Sequence, residues 1–198
     1  MALFTDDVYA EASSGAQSRY LNVSKIPADR PARIAILQEP AFSFFEIWGE
    51  SISNSEQVKP FRFSKKPTES EILTLMGGDY RVREVNPEWA KTPGQLETPK
   101  RVFVFTVWNY ESKQVEIMSV KQKSIIDGLK ELSRTEEYSD LTGWDLKVAR
   151  VSQTQYSVTP LPRKKGTESE VENALTDAQA SGFDVTRMIE NGDPFTEA

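Results

Sequence analysis

Hydrophobic residues alternate with polar ones, or cluster with β-branched and aromatic residues, over much of the central chain. This pattern is typical of β-strands. It predicts seven of them, over residues 33–37, 42–49, 59–64, 101–110, 114–118, 144–151 and 156–162. Pro60 predicts that the third strand lies at a sheet edge, because proline cannot donate a ladder hydrogen bond. A turn over residues 111–113 predicts that the fourth and fifth strands form a hairpin.

A helical period follows the fifth strand. It predicts a helix that ends near residue 133 and has one apolar face, formed by Ile125, Ile126, Leu129 and Leu132. Ser119 and Gln122 fit a capping box at its start. A shorter helix is predicted over residues 69–76, within a region (65–99) that its prolines and glycines make mostly loop.

The C-terminal region begins with the basic run 163–165 and Gly166. Thr167 and Glu170 fit the cap of a further short helix, whose apolar stripe comprises Val171, Ala174, Leu175 and Ala178. This stripe is narrow and rich in alanine, so we expect the helix to form only against another surface.

The order of the elements predicts a mainly β protein. Several strands, one late helix and two further strands fit a small antiparallel barrel with an inserted helix, the arrangement of the oligonucleotide-binding (OB) fold. The predicted organisation is an irregular N-terminal arm over residues 1–32, the barrel domain over 33–162 and an acidic C-terminal tail over 163–198.

Charge is concentrated at the C-terminal end. The formal net charge is −6, yet residues 167–198 alone carry eight acidic side chains against one basic side chain, Arg187. The rest of the chain is therefore close to neutral. Two interpretations are open: a disordered solubilising tail, or a tail that recruits partners and competes with an anionic ligand for a basic groove.

The composition excludes several kinds of chemistry. The chain has no cysteine and no histidine, which rules out disulfides, thiolate or imidazole zinc sites, and catalysis by either residue. It has no phosphate-binding loop motif and no apolar stretch of the roughly 20 residues that span a membrane, and its first residues do not resemble a secretory signal. We expect no enzyme activity, no cofactor and no metal.

One segment combines bases and rings. Residues 59–66 (KPFRFSKK) contain four basic residues, two phenylalanines and no acid. Rings that stack on bases, interleaved with cations for phosphates, are what single-stranded nucleic acid requires. The alternative is a basic edge strand whose phenylalanines face the core. In the strand over 101–110, Phe103 and Phe105 share a face with Arg101, while Val102 and Val104 share the other.

Four short segments carry a resemblance: 107–111 (VWNYE), 122–125 (QKSI), 145–150 (DLKVAR) and 154–160 (TQYSVTP). In their order and spacing the chain resembles the single-stranded DNA-binding proteins of tailed bacteriophages, over residues 33–162 and in the acidic C-terminal region. Trp144 stands where such proteins often have tyrosine, and the zinc-binding insertion of some members has no ligands here. The resemblance implies an OB fold that coats and protects single strands in DNA replication, recombination and repair, in the cytoplasm of the bacterial host.

The resemblance also implies phage replication and recombination proteins as partners, reached through the acidic tail. We expect aromatic side chains to stack on bases and basic ones to meet phosphates, and about half of the candidates to be core: Trp48, Lys59, Phe61, Arg62, Phe63, Lys65, Arg101, Phe103, Phe105, Lys113, Lys123, Lys147, Arg150 and Tyr156. At the tip of the tail, Asp193 and Phe195 are the candidates for partner binding.

Two other functions are open. A magnesium-dependent nuclease would use Asp145 and Lys147, since a carboxylate two residues before a lysine occurs in such enzymes; the number of such pairs is what chance produces. A structural or adaptor protein would instead use a basic surface to bind an acidic partner.

Overall fold

The computed structural model describes residues 19–196. They form eight strands: β1 Ala32–Ile36, β2 Phe42–Ser51, β3 Val58–Phe63, β4 Tyr80–Val82, β5 Lys100–Asn109, β6 Gln114–Val120, β7 Asp145–Arg150 and β8 Tyr156–Leu161. The three α-helices are α1 Glu69–Met76, α2 Lys123–Arg134 and α3 Glu168–Ala180. Four 3-10 turns cover Val23–Lys25, Glu136–Tyr138, Leu141–Gly143 and Val185–Glu190.

All eight strands belong to one antiparallel sheet, organised around β5. One edge of β5 pairs with β6; the other pairs with β2 along its first half and with β1 along its second half. The sheet order is β3-β2-β5-β1-β7-β8, and β4 pairs with the far end of β2. The mainly β fold with a helix before the last two strands is confirmed. Within the described residues the sheet does not close, so it is a barrel only loosely.

Three apolar clusters hold the sheet and its helices together. The first lies between β1, β5, β6 and β7 and beneath α2, and includes Ile34, Met118 and Leu146. The second packs the C-terminal region against the opposite face of β2, β5 and β6. The third joins β2 and β3 to α1. The sheet is therefore covered on both faces, but by different elements at different places.

The predicted strands agree with the observed ones to within two residues, and the helix over Glu69–Met76 is confirmed. Thr68 and Glu71 form its capping box. The capping box proposed for α2 is wrong, because Ser119 belongs to β6 and the N-cap residue Gln122 makes no side-chain cap hydrogen bond. Strand β4 was not predicted; it pairs with only three residues of β2.

The acidic C-terminal region is folded as far as the structure describes it. Val171 and Ala174 of α3 are buried, as are Phe183 and Met188, which pack against Phe44 and the valines of β5. Hence α3 forms against another surface, as its narrow apolar stripe predicts. Residues 168–196 are not a disordered tail; we call them the C-terminal segment.

Candidate nucleic-acid interface

A set of half-buried rings lies on the face of the sheet that the C-terminal segment leaves uncovered. Phe45 of β2 is directly opposite Phe63 of β3 on one side and Arg101 of β5 on the other. Directly paired residues of antiparallel strands point to the same face, as do residues two apart in one strand. Phe103 and Phe105 therefore share this face with Arg101. We call these five residues the open face.

Arg101 lies over two of the rings. Its guanidinium carbon is 5.8 Å from the ring centroid of Phe45 and 5.2 Å from that of Phe103. Its Nη2 donates a hydrogen bond of 3.1 Å to Oγ of Ser43, the residue paired with Phe103. Guanidinium groups stack on ring faces and also bind phosphate. The same cation can therefore cover the rings or release them by turning to an anion.

The rings of the open face differ in how firmly the core holds them. Phe105 packs against the cluster beneath α2, and Phe63 packs against the cluster with α1. Phe45 and Phe103 belong to none of the three apolar clusters of residues 19–196, although both are half-buried. Of the open face, these two rings therefore contribute least to the packing of the apolar core.

The opposite face carries a buried carboxylate. Glu46 of β2 is 6% exposed and forms ion pairs with Arg62 and Lys121. The Nη1 of Arg62 also donates to the backbone carbonyl oxygen of Met188 at 2.6 Å, so the C-terminal segment covers it. Nζ of Lys121 is 6.0 Å from the ring centroid of Trp48, which is half-buried on this same face.

Three of the candidate contact residues are buried or already paired in this arrangement. Phe61 lies on the same face as Phe63, two residues along β3, but α1 covers this end of the face and leaves Phe61 only 4% exposed. Tyr156 is buried beneath α2, where its backbone N–H donates to Oγ of Ser124. Arg62 is held by Glu46 and Met188 and is not free for a phosphate in this conformation.

The remaining basic candidates lie outside the open face. Lys59 covers the rings of Phe61 and Tyr80, with its Nζ 4.8 and 4.1 Å from their centroids. Lys65 is exposed just beyond β3, and Lys113 is exposed in the β5–β6 turn.

Three further basic candidates are engaged locally. Lys123 begins α2, and its ion pair with Asp127, chiefly through the hydrogen bond, raises the pKa of the ammonium group. Lys147 is half-buried in β7, opposite Arg33 and Thr159. Arg150 donates to the carbonyl oxygens of Ser152 and Ser24.

Asp145 is fully buried and occupied by donors. Its carboxylate accepts from Arg33 Nε at 2.8 Å, Tyr110 Oη at 2.7 Å, Arg163 Nη1 at 2.9 Å and the backbone N–H of Lys164 at 3.0 Å. Burial, chiefly, raises the pKa of Tyr110. This carboxylate ties β7 to β1, to the end of β5 and to the start of the C-terminal region. No cluster of three metal-ligating side chains occurs among the described residues.

The tip of the C-terminal segment packs against the body of the protein. Phe195 is half-buried, with its ring centroid 5.0 Å from that of Phe183 and 6.1 Å from that of Tyr20. The guanidinium carbon of Arg19 lies 4.7 Å from the Phe195 centroid. Phe195 thus packs within the protein, whereas Asp193 is exposed; its carboxylate accepts from the Phe195 N–H and its backbone carbonyl from Oγ1 of Thr196.

Phe45 is the residue of the open face that sequence reasoning missed. The sequence does contain a pattern that could have identified it, because the alternation in 42–49 places Phe45 and Ile47 on one face and Phe42 and Phe44 on the other. What the sequence does not contain is the register that sets Phe45 beside Arg101.

In the part of the chain that the structure describes, no helix is long and apolar enough to cross a bilayer. Comparison of the chain with family models, with curated proteins and with solved structures gives no match.

Proposed function

We propose that this protein binds single-stranded DNA, largely without sequence preference, and coats and protects it during DNA replication, recombination and repair. The observation that carries the proposal is the open face: two rings outside the core, Phe45 and Phe103, with Arg101 between them. Every base has a π-face, so stacking on such rings tolerates any sequence.

Binding exchanges the partners of Arg101. The guanidinium leaves the two rings and meets a phosphate, and bases take its place on Phe45 and Phe103. Phe63 of β3 extends the row of rings formed by Phe103 and Phe45. Lys65 is exposed just beyond the end of β3, where its ammonium group meets a phosphate of the strand that leaves Phe63. The interaction then combines a stacking term with a salt-dependent electrostatic term.

The test is titration of fluorescent poly-dT with the protein at two salt concentrations, using Phe45→Ala and Phe103→Ala. A stacked base contributes about 1–3 kcal/mol, so each variant is expected to bind roughly 5- to 150-fold more weakly. Val151→Ala is the matched control, since Val151 is an exposed apolar residue beyond β7. Absence of binding by the unmodified protein, or equal binding by all three variants, contradicts the proposal.

We further propose that the C-terminal segment recruits replication and recombination proteins of the phage and competes with DNA in the host cytoplasm. Its exposed acidic side chains, among them Glu190 and Asp193, support the competition, because negative charge repels the phosphates of a bound strand. The exposed Asp193 supports a contact with partner proteins.

A nuclease is less well supported. Asp145, the carboxylate that such a reaction needs, already accepts from two arginines, a tyrosine and a backbone N–H. Among residues 19–196, these donors favour a structural role for the Asp145 carboxylate over the binding of a metal ion.

A further inference from the structure

Trp89 is the most exposed of the large hydrophobic residues that the structure describes as exposed. Its exposed fraction is 75%, against 51% for Leu96 in the same loop. It lies near the tip of the connection between β4 and β5, residues 83–99, which we call the Trp89 loop. A tryptophan this exposed leaves a large apolar surface in contact with water, which makes it a candidate for a binding residue.

The base of the Trp89 loop is a short, hydrogen-bonded hairpin. Glu84 and Leu96 form an antiparallel bridge. The Val85 N–H donates to the Gln95 carbonyl at 2.8 Å, and the Glu97 N–H donates to the Arg83 carbonyl at 2.9 Å. The loop is therefore an extension of the sheet and has a defined direction.

The tip is braced as well. The Trp89 N–H donates to the Asn86 carbonyl at 2.8 Å, and Oδ1 of Asn86 accepts from the Glu88 N–H at 2.9 Å. On the opposite arm the Lys91 N–H donates to Oε1 of Gln95 at 2.7 Å. These hydrogen bonds brace the backbone that carries Trp89, which lowers the entropy lost when the ring binds a ligand.

The loop is attached where the open face begins. Its first residue, Arg83, donates its N–H to the carbonyl of Trp48 in β2, and its last residue precedes Lys100, the first residue of β5. Arg101 follows Leu96 by five positions, so their Cα atoms are at most about 18 Å apart. Lys100 lies between Leu96 and Arg101 in the chain, and the exposed Lys91 follows Trp89 by two positions, although Glu84, Glu88 and Glu97 leave the loop itself without net positive charge.

We propose that Trp89 is a second stacking site for single-stranded DNA, reached by a strand that continues past the open face. The inference rests on the proposed function and deepens it, because it assigns a contact that lies on neither face of the sheet. The contact is expected to depend on the length of the oligonucleotide: a short oligonucleotide on the open face does not reach Trp89, whereas a longer one does.

The experiment compares Trp89→Ala with Phe45→Ala on two oligonucleotides, dT5 and dT16, with Val151→Ala as control. We expect Trp89→Ala to weaken binding of dT16 about 5- to 30-fold and to leave dT5 within 2-fold of the unmodified protein. Phe45→Ala is expected to weaken both. In a parallel fluorescence titration, Trp89→Phe is expected to remove part of the quenching by dT16 while keeping most of the affinity.

Equal binding of dT16 by Trp89→Ala and the unmodified protein overturns the inference. Equal weakening of dT5 and dT16 also overturns it, since Trp89 would then act through the open face. Failure of the unmodified protein to bind either oligonucleotide is a different result, which rejects the proposed function itself.

Discussion

Phe183 gives the most direct test of whether the C-terminal segment is part of the folded domain. It follows α3, is 7% exposed and packs with Met188 against Phe44 on the face opposite the open face. Its ring is also 5.0 Å from that of Phe195. Phe183→Ala removes a ring from a closed cluster and changes no charge, so it separates packing from the acidity of the segment.

The expected effect is large compared with the stability of a domain. Truncation of a buried phenylalanine to alanine costs about 3–5 kcal/mol, and whole domains are stable by about 5–15 kcal/mol. With a urea m-value of about 2 kcal/mol per molar, the midpoint of unfolding is expected to fall by roughly 1.5–2.5 M.

The measurement is urea unfolding followed by circular dichroism, with Trp89→Ala as control. Trp89 is also a large apolar residue, but it is exposed, and surface substitutions usually change stability by less than about 0.5 kcal/mol. If Phe183→Ala unfolds at the same urea concentration as Trp89→Ala, the C-terminal segment is not anchored through this cluster and the reasoning is refuted.

Three further predictions concern charge. Arg101→Ala is expected to lower the slope of log affinity for poly-dT against log salt by about 0.7, the value for one phosphate contact; an unchanged slope means that Arg101 meets no phosphate. Replacing Glu190 and Asp193 by the corresponding amides is expected to tighten poly-dT binding at 50 mM salt and to lose that effect near 1 M, where the Debye length is about 3 Å; equal binding at 50 mM contradicts competition by the segment. The hydroxyl and N–H of Thr186 hold the pKa of Asp184 below its ordinary value of 3.8. The ionised carboxylate therefore stabilises the folded state above that value, and this contribution is lost as the pH falls through the folded-state pKa. Asp184→Asn is expected to unfold at a lower urea concentration than the unmodified protein at pH 7, and the difference is expected to vanish in acid.

The sequence predicts those parts of the fold that depend on local pattern. The alternation over 101–110 correctly predicts β5, and the helical period around Leu129 correctly predicts α2. Strand β4 has only three residues, too few to display a period, and its pairing with β2 is set by distant residues. The local pattern at Ser119 fits a helix cap, but pairing with Val104 extends β6 through this position.

The site was only partly predictable, for a related reason. Alternation shows that Phe61 and Arg62 point to opposite faces, but not that α1 covers the first and the C-terminal segment covers the second. Tyr156 has the aromatic character of a stacking residue, and only its place beneath α2 makes it core. Which ring remains open is decided by the elements packed around it, which are distant in the chain.

The contacts of Arg19 and Tyr20 with Phe195 bring the first and last described residues together beside β6, where the backbones of Arg19 and Leu21 hydrogen-bond to Ile117. Adjacent ends of this kind permit circular permutation. A short glycine–serine linker from residue 196 to residue 19, with new ends opened in the exposed turn between β2 and β3, would retain every strand pairing of the sheet. It would also place the new termini at the turn of the β2–β3 hairpin, the end farthest from the Phe45–Phe63 pair, so that a group attached there leaves the open face unobstructed.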